Sequence, residues 1–188
     1  MAGQVSELVQ HLERRVQRRT HDLERRARYL EATAQVSRVA ASLLDVETLL
    51  QETATLISER FGFYHAGLFL LDESATWAVL RAVSSEGGKQ MLMRQHRLRL
   101  GEGIVGYVAR EGKPRVAFDV GEDSVWVKNP DLPMTRSEMA LPLIAHGRVI
   151  GVLDVQSVEP EAFSGEDITT LRVLADQIAV AIENARLF

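Results

Sequence analysis

Ser137-Glu138-Met139-Ala140-Leu141-Pro142-Leu143-Ile144-Ala145-His146-Gly147-Arg148-Val149-Ile150-Gly151-Val152-Leu153-Asp154-Val155-Gln156-Ser157 reads as two extended runs folded on a tight turn at His146-Gly147. Both runs are rich in aliphatic and β-branched residues, and glycine supplies the positive φ that a short hairpin turn requires. Both are apolar on two faces, so each face must be covered. That implies a central hairpin with helices on one side and other parts of the chain on the second. Pro142 has no amide hydrogen, so its position faces away from the ladder or sits at a bulge.

The totals bound what surrounds this hairpin. At 188 residues and 46% apolar content, one globular domain plus an appendage is expected. Cysteine is absent, which removes disulfides, thiolate metal sites, thiol nucleophiles and thioether attachment, and fits a reducing compartment. No apolar run approaches the roughly 18 residues of a membrane span, and no signal-peptide apolar region opens the chain, so a soluble, cytoplasmic protein is expected. The net charge of −4 is uneven: residues 1–40 sum to +3 and the remainder to −7, a basic rod on an acidic globule.

The rod has no Gly or Pro from Gln4 to Phe61. Val9, Val16, Leu23 and Leu30 fit heptad a, with Val5, Leu12, Arg19, Arg26 and Thr33 at d, so a coiled coil that is weak in its middle is predicted; a solvated single helix is the alternative. The doublets Arg14-Arg15, Arg18-Arg19 and Arg25-Arg26 are interleaved with Glu13, Asp22, Glu24 and Glu31, which argues against a phosphate-facing surface and against a nucleic-acid partner. A second stripe, Leu43, Val46, Leu50, Thr53, Ile57 and Phe61, is wide enough to lie on a sheet. Asp45 is its candidate cap after a break near Ser42, and Gly62 its stop.

Tyr64 to Leu71 is a strand, Asp72 to Ala75 its turn and Thr76 to Ser84 its partner. Trp77, Val79, Arg81 and Val83 are expected on one face, Ala78, Leu80 and Ala82 on the other. Gly87-Gly88 is read as a chain break. His96 to Leu100 is a short strand, Ile104 to Arg110 a short helix stopped by Gly112, and Lys113 to Phe118 another strand. Asp119 to Arg136, acidic and holding Trp126 and two prolines, is a candidate lid, or a surface loop whose Trp126 plugs the core edge. Ser164-Gly165-Glu166-Asp167 reads as a capping box, with Phe163 and Ile168 as its staple. The helix that follows has two apolar faces, one for the sheet and one for another helix, and its stripe runs to Phe188, which suggests continuation into a downstream module.

This order of elements resembles a GAF domain. Gly67-Leu68-Phe69-Leu70-Leu71-Asp72, Gly103-Ile104-Val105-Gly106-Tyr107-Val108-Ala109, Glu138 to Leu143 and Gly147 to Leu153 are similar to that family's ordered motifs. Leu12 to Val16 and Arg19 to Glu24 are similar to the signalling helices of bacterial sensor histidine kinases and related receptors. The resemblance implies an α+β fold: a six-stranded antiparallel sheet with terminal helices on one face, a small-molecule pocket on the other, and a helical dimer. Residues 1–41 would be the coiled-coil signalling helix and 42–188 the GAF domain. The implied function is a regulatory sensor module in a homodimer; the alternative is a ligand-free spacer whose pocket is filled by Trp126 and Met134.

Gln156, Ser157, Phe163, Asp167 and Ile168 stand where cyclic-nucleotide-binding members carry Asn, Lys, Phe, Asp and Glu, which weakens that ligand. The absence of Cys excludes covalent bilin attachment to this chain and methionine sulfoxide reduction of the family's type; any cofactor is unknown. The five His residues show no metal spacing and are expected to be solvent-exposed. Gly101-x-Gly103-x-x-Gly106 lacks the βαβ context of a dinucleotide site, no nucleophile–base grouping stands out, and no enzyme is expected. Candidate pocket residues are Gly67, Phe69, Leu71, Tyr107, Val108, Asp119, Trp126, Met134, Ser137 and Met139, with Leu68 and Leu70 turned toward the helices. Candidate dimer residues are Val9, Leu12, Val16, Leu23, Leu30, Leu171, Leu174, Ile178, Ala181 and Ala185. No metal and no membrane insertion are expected.

Overall fold

The structure is a computed structural model and describes residues 2–42 and 46–187. Leu43, Asp45 and Phe188, invoked above as stripe and cap residues, lie outside the described residues. The elements are α1 (Ala2–Ser42), α2 (Val46–Phe61), β1 (His65–Leu71), β2 (Trp77–Val83), α3 (Glu86–Met93), β3 (Arg97–Arg99), α4 (Gly103–Glu111), β4 (Arg115–Ala117), β5 (Ser137–Ala145), β6 (Arg148–Ser157) and α5 (Gly165–Leu187). The strands form one antiparallel sheet in the order β3-β2-β1-β6-β5-β4, with the predicted hairpin at its centre.

The hairpin turn is the two-residue form: His146 and Gly147 have φ of 50° and 72°, and Ala145 pairs with Arg148. β4 begins at Arg115 opposite Ala140, so Pro142 sits where β6 is the only neighbouring strand of β5. The register shifts between Leu143 and Ile144: Ile144 pairs with Val149 and Leu143 with Gly151, so Ile150 is the extra residue of a bulge. A second shift, between Leu68 and Phe69, leaves Arg81 as the extra residue on β2. That bulge corrects the expected alternation of β2: Ala82 joins the helix-side core, while Val83 joins Ala78 and Leu80 on the opposite side.

One face of the sheet is covered by α2 and α5, and the second half of α1 packs on those two helices. Leu49 and Ile57 of α2 share one buried core with Leu68, Leu141 and Leu153 of the strands and Leu171, Leu174 and Ile178 of α5. Each such buried side chain contributes about 1.5–3 kcal/mol of transfer free energy. Of the residues expected at a dimer contact, Leu171, Leu174, Ile178, Ala181 and Ala185 are buried inside the chain, because the sheet and α1 both cover α5. The apolar side chains that α5 exposes are Val173, Val180 and Leu187, seven residues apart. In α1, Val5, Val9, Leu12, Val16, Leu23 and Leu30 are exposed, whereas Ala32 and Val36 are buried. The first 23 residues of α1 span about 35 Å at helical rise, and residues 3–24 are exposed.

The capping box forms as expected. Ser164 N donates to Asp167 Oδ2 (2.8 Å) and Asp167 N to Ser164 Oγ (3.1 Å), while Phe163 and Ile168 pack into the helix-side core. Asp167 does more than cap. Arg25 Nη2 donates to both its oxygens (3.2 and 3.1 Å), as does the Tyr29 hydroxyl to Oδ1, which ties α1 to the first turn of α5. Burial pushes the Asp167 carboxyl up, but Tyr29, Ser164 and Arg25 together hold it below the usual carboxylate range.

The chain break expected at Gly87-Gly88 is instead inside a helix. Ser85 caps α3, its hydroxyl accepting from Gly88 N (3.0 Å). These glycines are packing positions: a Cβ on Gly87 would overlap the Asp131 carbonyl oxygen, and one on Gly88 would crowd His65 and Val83.

Candidate functional site

The second face of the sheet carries α3, α4 and the segment 118–136. Between them lies a cavity of about 200 Å³ lined by Phe69, Met91, His96, Ile104, Trp126 and Leu132, among others, with Glu138, Asp154 and Gln156 in the same wall. α4 can approach the sheet because Gly106 lies against β3, where a Cβ would overlap the Arg99 carbonyl oxygen. The segment 126–130, within the stretch expected to be a lid, supplies one wall. Asp123 anchors its base, accepting from Val125 N, Trp126 N and the guanidinium of Arg115 (2.8–3.2 Å).

The polar wall comes from the central hairpin. Glu138 opposes Gln156, and Asp154 opposes Ala140 on β5 and Gly67 on β1. Trp126 Nε1 donates to Glu138 Oε2 (2.9 Å), Gln156 Nε2 to Asp154 Oδ2 (2.7 Å), and the Thr135 hydroxyl to Gln156 Oε1 (2.5 Å). Thr135 thereby fixes which end of the Gln156 amide faces the acid. Burial and the adjacent Asp154 push Glu138 well above the usual carboxylate range, against the pull of Trp126. Burial raises Asp154 to about 6, with Gln156 and Glu138 pulling it down. The physical reading is one proton held by Glu138 and shared with Asp154, because two buried carboxylates in contact do not both ionise.

Of the ten residues expected in the pocket, Phe69 and Trp126 line the cavity. Leu71, Tyr107 and Val108 lie in the core layer beside it, Tyr107 under the Arg115 guanidinium (4.8 Å). Gly67 is on the cavity face of β1 but outside the lining. Leu68 and Leu70 do face the helices. The other four are corrections. Met139 points into the helix-side core, since β5 alternates with Glu138 and Ala140 toward the cavity. Ser137 is buried and donates to the Glu159 carbonyl (2.7 Å). Asp119 accepts from Gly121 N and Arg136 outside the cavity, and Met134 is 61% exposed, so it does not fill it.

The expectation that all His residues are exposed fails at two. His96 is half-buried in the cavity wall, its ring edge-on to Phe69 at 6.3 Å; burial, then Arg94, lower its pKa. His65 is fully buried beside Gly67, its Nδ1 bonded to the Ser85 hydroxyl (2.7 Å), and burial lowers it to about 4.

His65 and the acid pair give stability opposite pH dependences. Unfolded His binds its proton near 6.5, so folded His65 costs stability as pH falls from 6.5 to 4. Asp154 is raised, so its burial costs stability as pH rises through its folded value and the cost is relieved on acidification. Each is worth about 2–3 kcal/mol over this window. Relative to the native protein, His65→Gln is therefore expected to gain this amount between pH 6.5 and 4, and Asp154→Asn to lose it. Urea midpoints at the two pH values check the signs; parallel curves for all three proteins would refute both assignments.

Among the described residues no group of three His, Asp or Glu could hold a metal ion, and no helix is long and apolar enough to cross a membrane.

The chain is similar to several solved structures. The free methionine-R-sulfoxide reductase of Neisseria meningitidis, solved in complex with its substrate, is 28% identical, with 85% of this chain and 90% of that one covered and a TM-score of 0.72. The GAF domain of a phosphoenolpyruvate-protein phosphotransferase from Coxiella burnetii shares the fold at 24% identity, covering 86% and 96%, with a TM-score of 0.77. Among curated proteins, the Nif-specific regulatory proteins of Azospirillum lipoferum and Azospirillum brasilense are each 29% identical over 112 residues, 55% of this chain and 18% of theirs. The chain thus spans about a fifth of the length of these relatives.

The likeness to the reductase overturns the expectation that this chain is no enzyme. An enzyme shares its fold at 28% identity, and the buried carboxylates are a constellation that acid–base chemistry can use. The GAF domain family model matches residues 44–183, the hairpin, both covers and the cavity included, and the chain belongs to the GAF domain family.

Proposed function

We propose that the chain is the sensor module of a cytoplasmic signalling protein. A small molecule binds in the cavity beneath Trp126, and its binding is transmitted through α1 and α5 of a homodimer to a further module. The observation that carries this reading is the cavity itself: it combines apolar walls with a few convergent buried polar groups, and the surface segment 126–130, tied to the sheet through Trp126 and Glu138, closes one side. Regulatory relatives of the Nif-specific type are consistent with it. In this reading residues 1–41 form the signalling helix of a two-component or related receptor and 42–188 the GAF domain.

The dimer contact is assigned to the exposed heptad stripe Val9, Leu12, Val16, Leu23 and Leu30, continued by Val173, Val180 and Leu187 of α5. The ligand-free spacer reading is disfavoured by Met134, which leaves the cavity unfilled.

Native mass spectrometry of the purified chain tests both halves of the proposal. A dimer carrying an extra mass supports it, and a bare dimer unmoved by any metabolite in a thermal-shift screen returns the spacer reading. Leu23 is 63% exposed, so Leu23→Pro breaks the rod at a cost of about 3 kcal/mol without touching the globule. It is expected to leave the melting of the domain in place and to convert the dimer to monomer in sedimentation; an unchanged dimer would put the contact elsewhere.

A further inference from the structure

Resting on the sensor reading, we infer that the cavity takes its ligand by a primary ammonium group seated on Asp154 and Glu138. Asp154 is 2% exposed and lines the cavity, and its Oδ1 meets no donor from any fixed N–H or hydroxyl. The side chains that donate to the pair are neutral, Gln156 on Asp154 Oδ2 and Trp126 on Glu138 Oε2. No Lys or Arg bonds to either acid among the described residues; Arg94 shares the cavity but is bound to Asp131, and Lys128 stands at the exposed rim. With one proton shared, the pair still keeps one buried negative charge that no side-chain cation answers, and such a charge is costly, so the missing partner is a positive charge that can enter.

The geometry selects among cations. A guanidinium fork needs two free oxygens on one carboxylate, and Gln156 already occupies Oδ2. An ammonium needs only single acceptor points, and Asp154 Oδ1 provides one, with the Glu138 proton free to turn or leave as the cation enters. Phe69, Met91, Ile104 and Leu132 offer apolar walls for an aliphatic body. A volume of about 200 Å³ is that of a small amine or amino acid, on the order of seven water volumes.

The test is thermal unfolding of the full chain with n-butylammonium, norleucine, butyrate and 1-butanol. The two amines are expected to raise Tm by about 3 °C or more at ten times Kd, and the anion and the alcohol to leave it unchanged. Asp154→Asn is expected to abolish the rise while keeping the native circular dichroism; should that variant not fold, Glu138→Gln carries the same test. A larger shift with norleucine identifies an amino acid, whose carboxylate reaches the Arg94–Lys128 side; an equal or larger shift with butylammonium identifies a simple amine. No shift with either amine, a shift with butyrate or butanol alone, or an amine shift that survives in both variants overturns the inference. If the amines fail while native mass spectrometry finds a retained metabolite or the screen finds another stabilising one, the sensor reading stands and only the ammonium assignment falls; if the amines fail and neither is found, both fall.

Discussion

Asp167→Ala is expected to lower stability by about 3 kcal/mol and Tm by roughly 6–12 °C. The loss has two parts. The capping bond to Ser164 N disappears, worth about 1 kcal/mol. The larger part is the unpaired polar cluster left behind: Arg25 and the Tyr29 hydroxyl both donate to this carboxylate, and Tyr29 is stacked on Phe61 at 4.9 Å and cannot swing freely to water. Arg25 is partly exposed and recovers some solvation, which keeps the total below that of a fully buried pair. Because the same side chain caps α5 and holds α1, the substitution is expected to loosen both. Hydrogen exchange should show protection lost in residues 25–36 as well as 165–170. Asp167→Asn keeps a cap acceptor and should lose less than half as much. Equal losses for the two variants would show that charge contributes nothing here.

Gly151→Ala is the second large effect, again about 3 kcal/mol, by a different cause. Gly151 follows the bulged Ile150 on β6, and a Cβ there would overlap the Phe69 carbonyl oxygen of β1, with Leu70 and Leu143 crowding the other sides. The obstacle is backbone in the middle of the sheet, so relief requires moving a strand. A urea midpoint within experimental error of the native one would show that the bulge relaxes instead. If the variant folds with β6 slipped, Glu138 and Asp154 part, and the ammonium-dependent rise in Tm is expected to vanish with them.

Much of the scaffold was legible because it depends on local chemistry. The His146-Gly147 turn, the Ser164–Asp167 box and the Gly62 and Gly112 helix stops are each decided within a few residues, and all form as expected. α3 was hidden because its glycines look like breakers. Their cause is close approach by Asp131 and His65, which lie far away in the sequence or on another element. The pocket list erred for a similar reason. Met139 and Met134 are the residue types that line pockets, but one faces the helices and the other solvent.

The central hairpin, its two apolar faces and the helices that cover one of them follow from periodicity, turn chemistry and caps alone. The site depends instead on the register of the folded sheet. A two-residue turn without a bulge would pair Glu138 with Val155 and Met139 with Asp154, turning the two acids to opposite faces. The extra residue at Ile150 shifts β6 by one, pairs Glu138 with Gln156, and brings both carboxylates to the cavity side. Pairing register has a period of two, so one residue moves every side chain to the other face, and no local propensity records which register the packed sheet adopts.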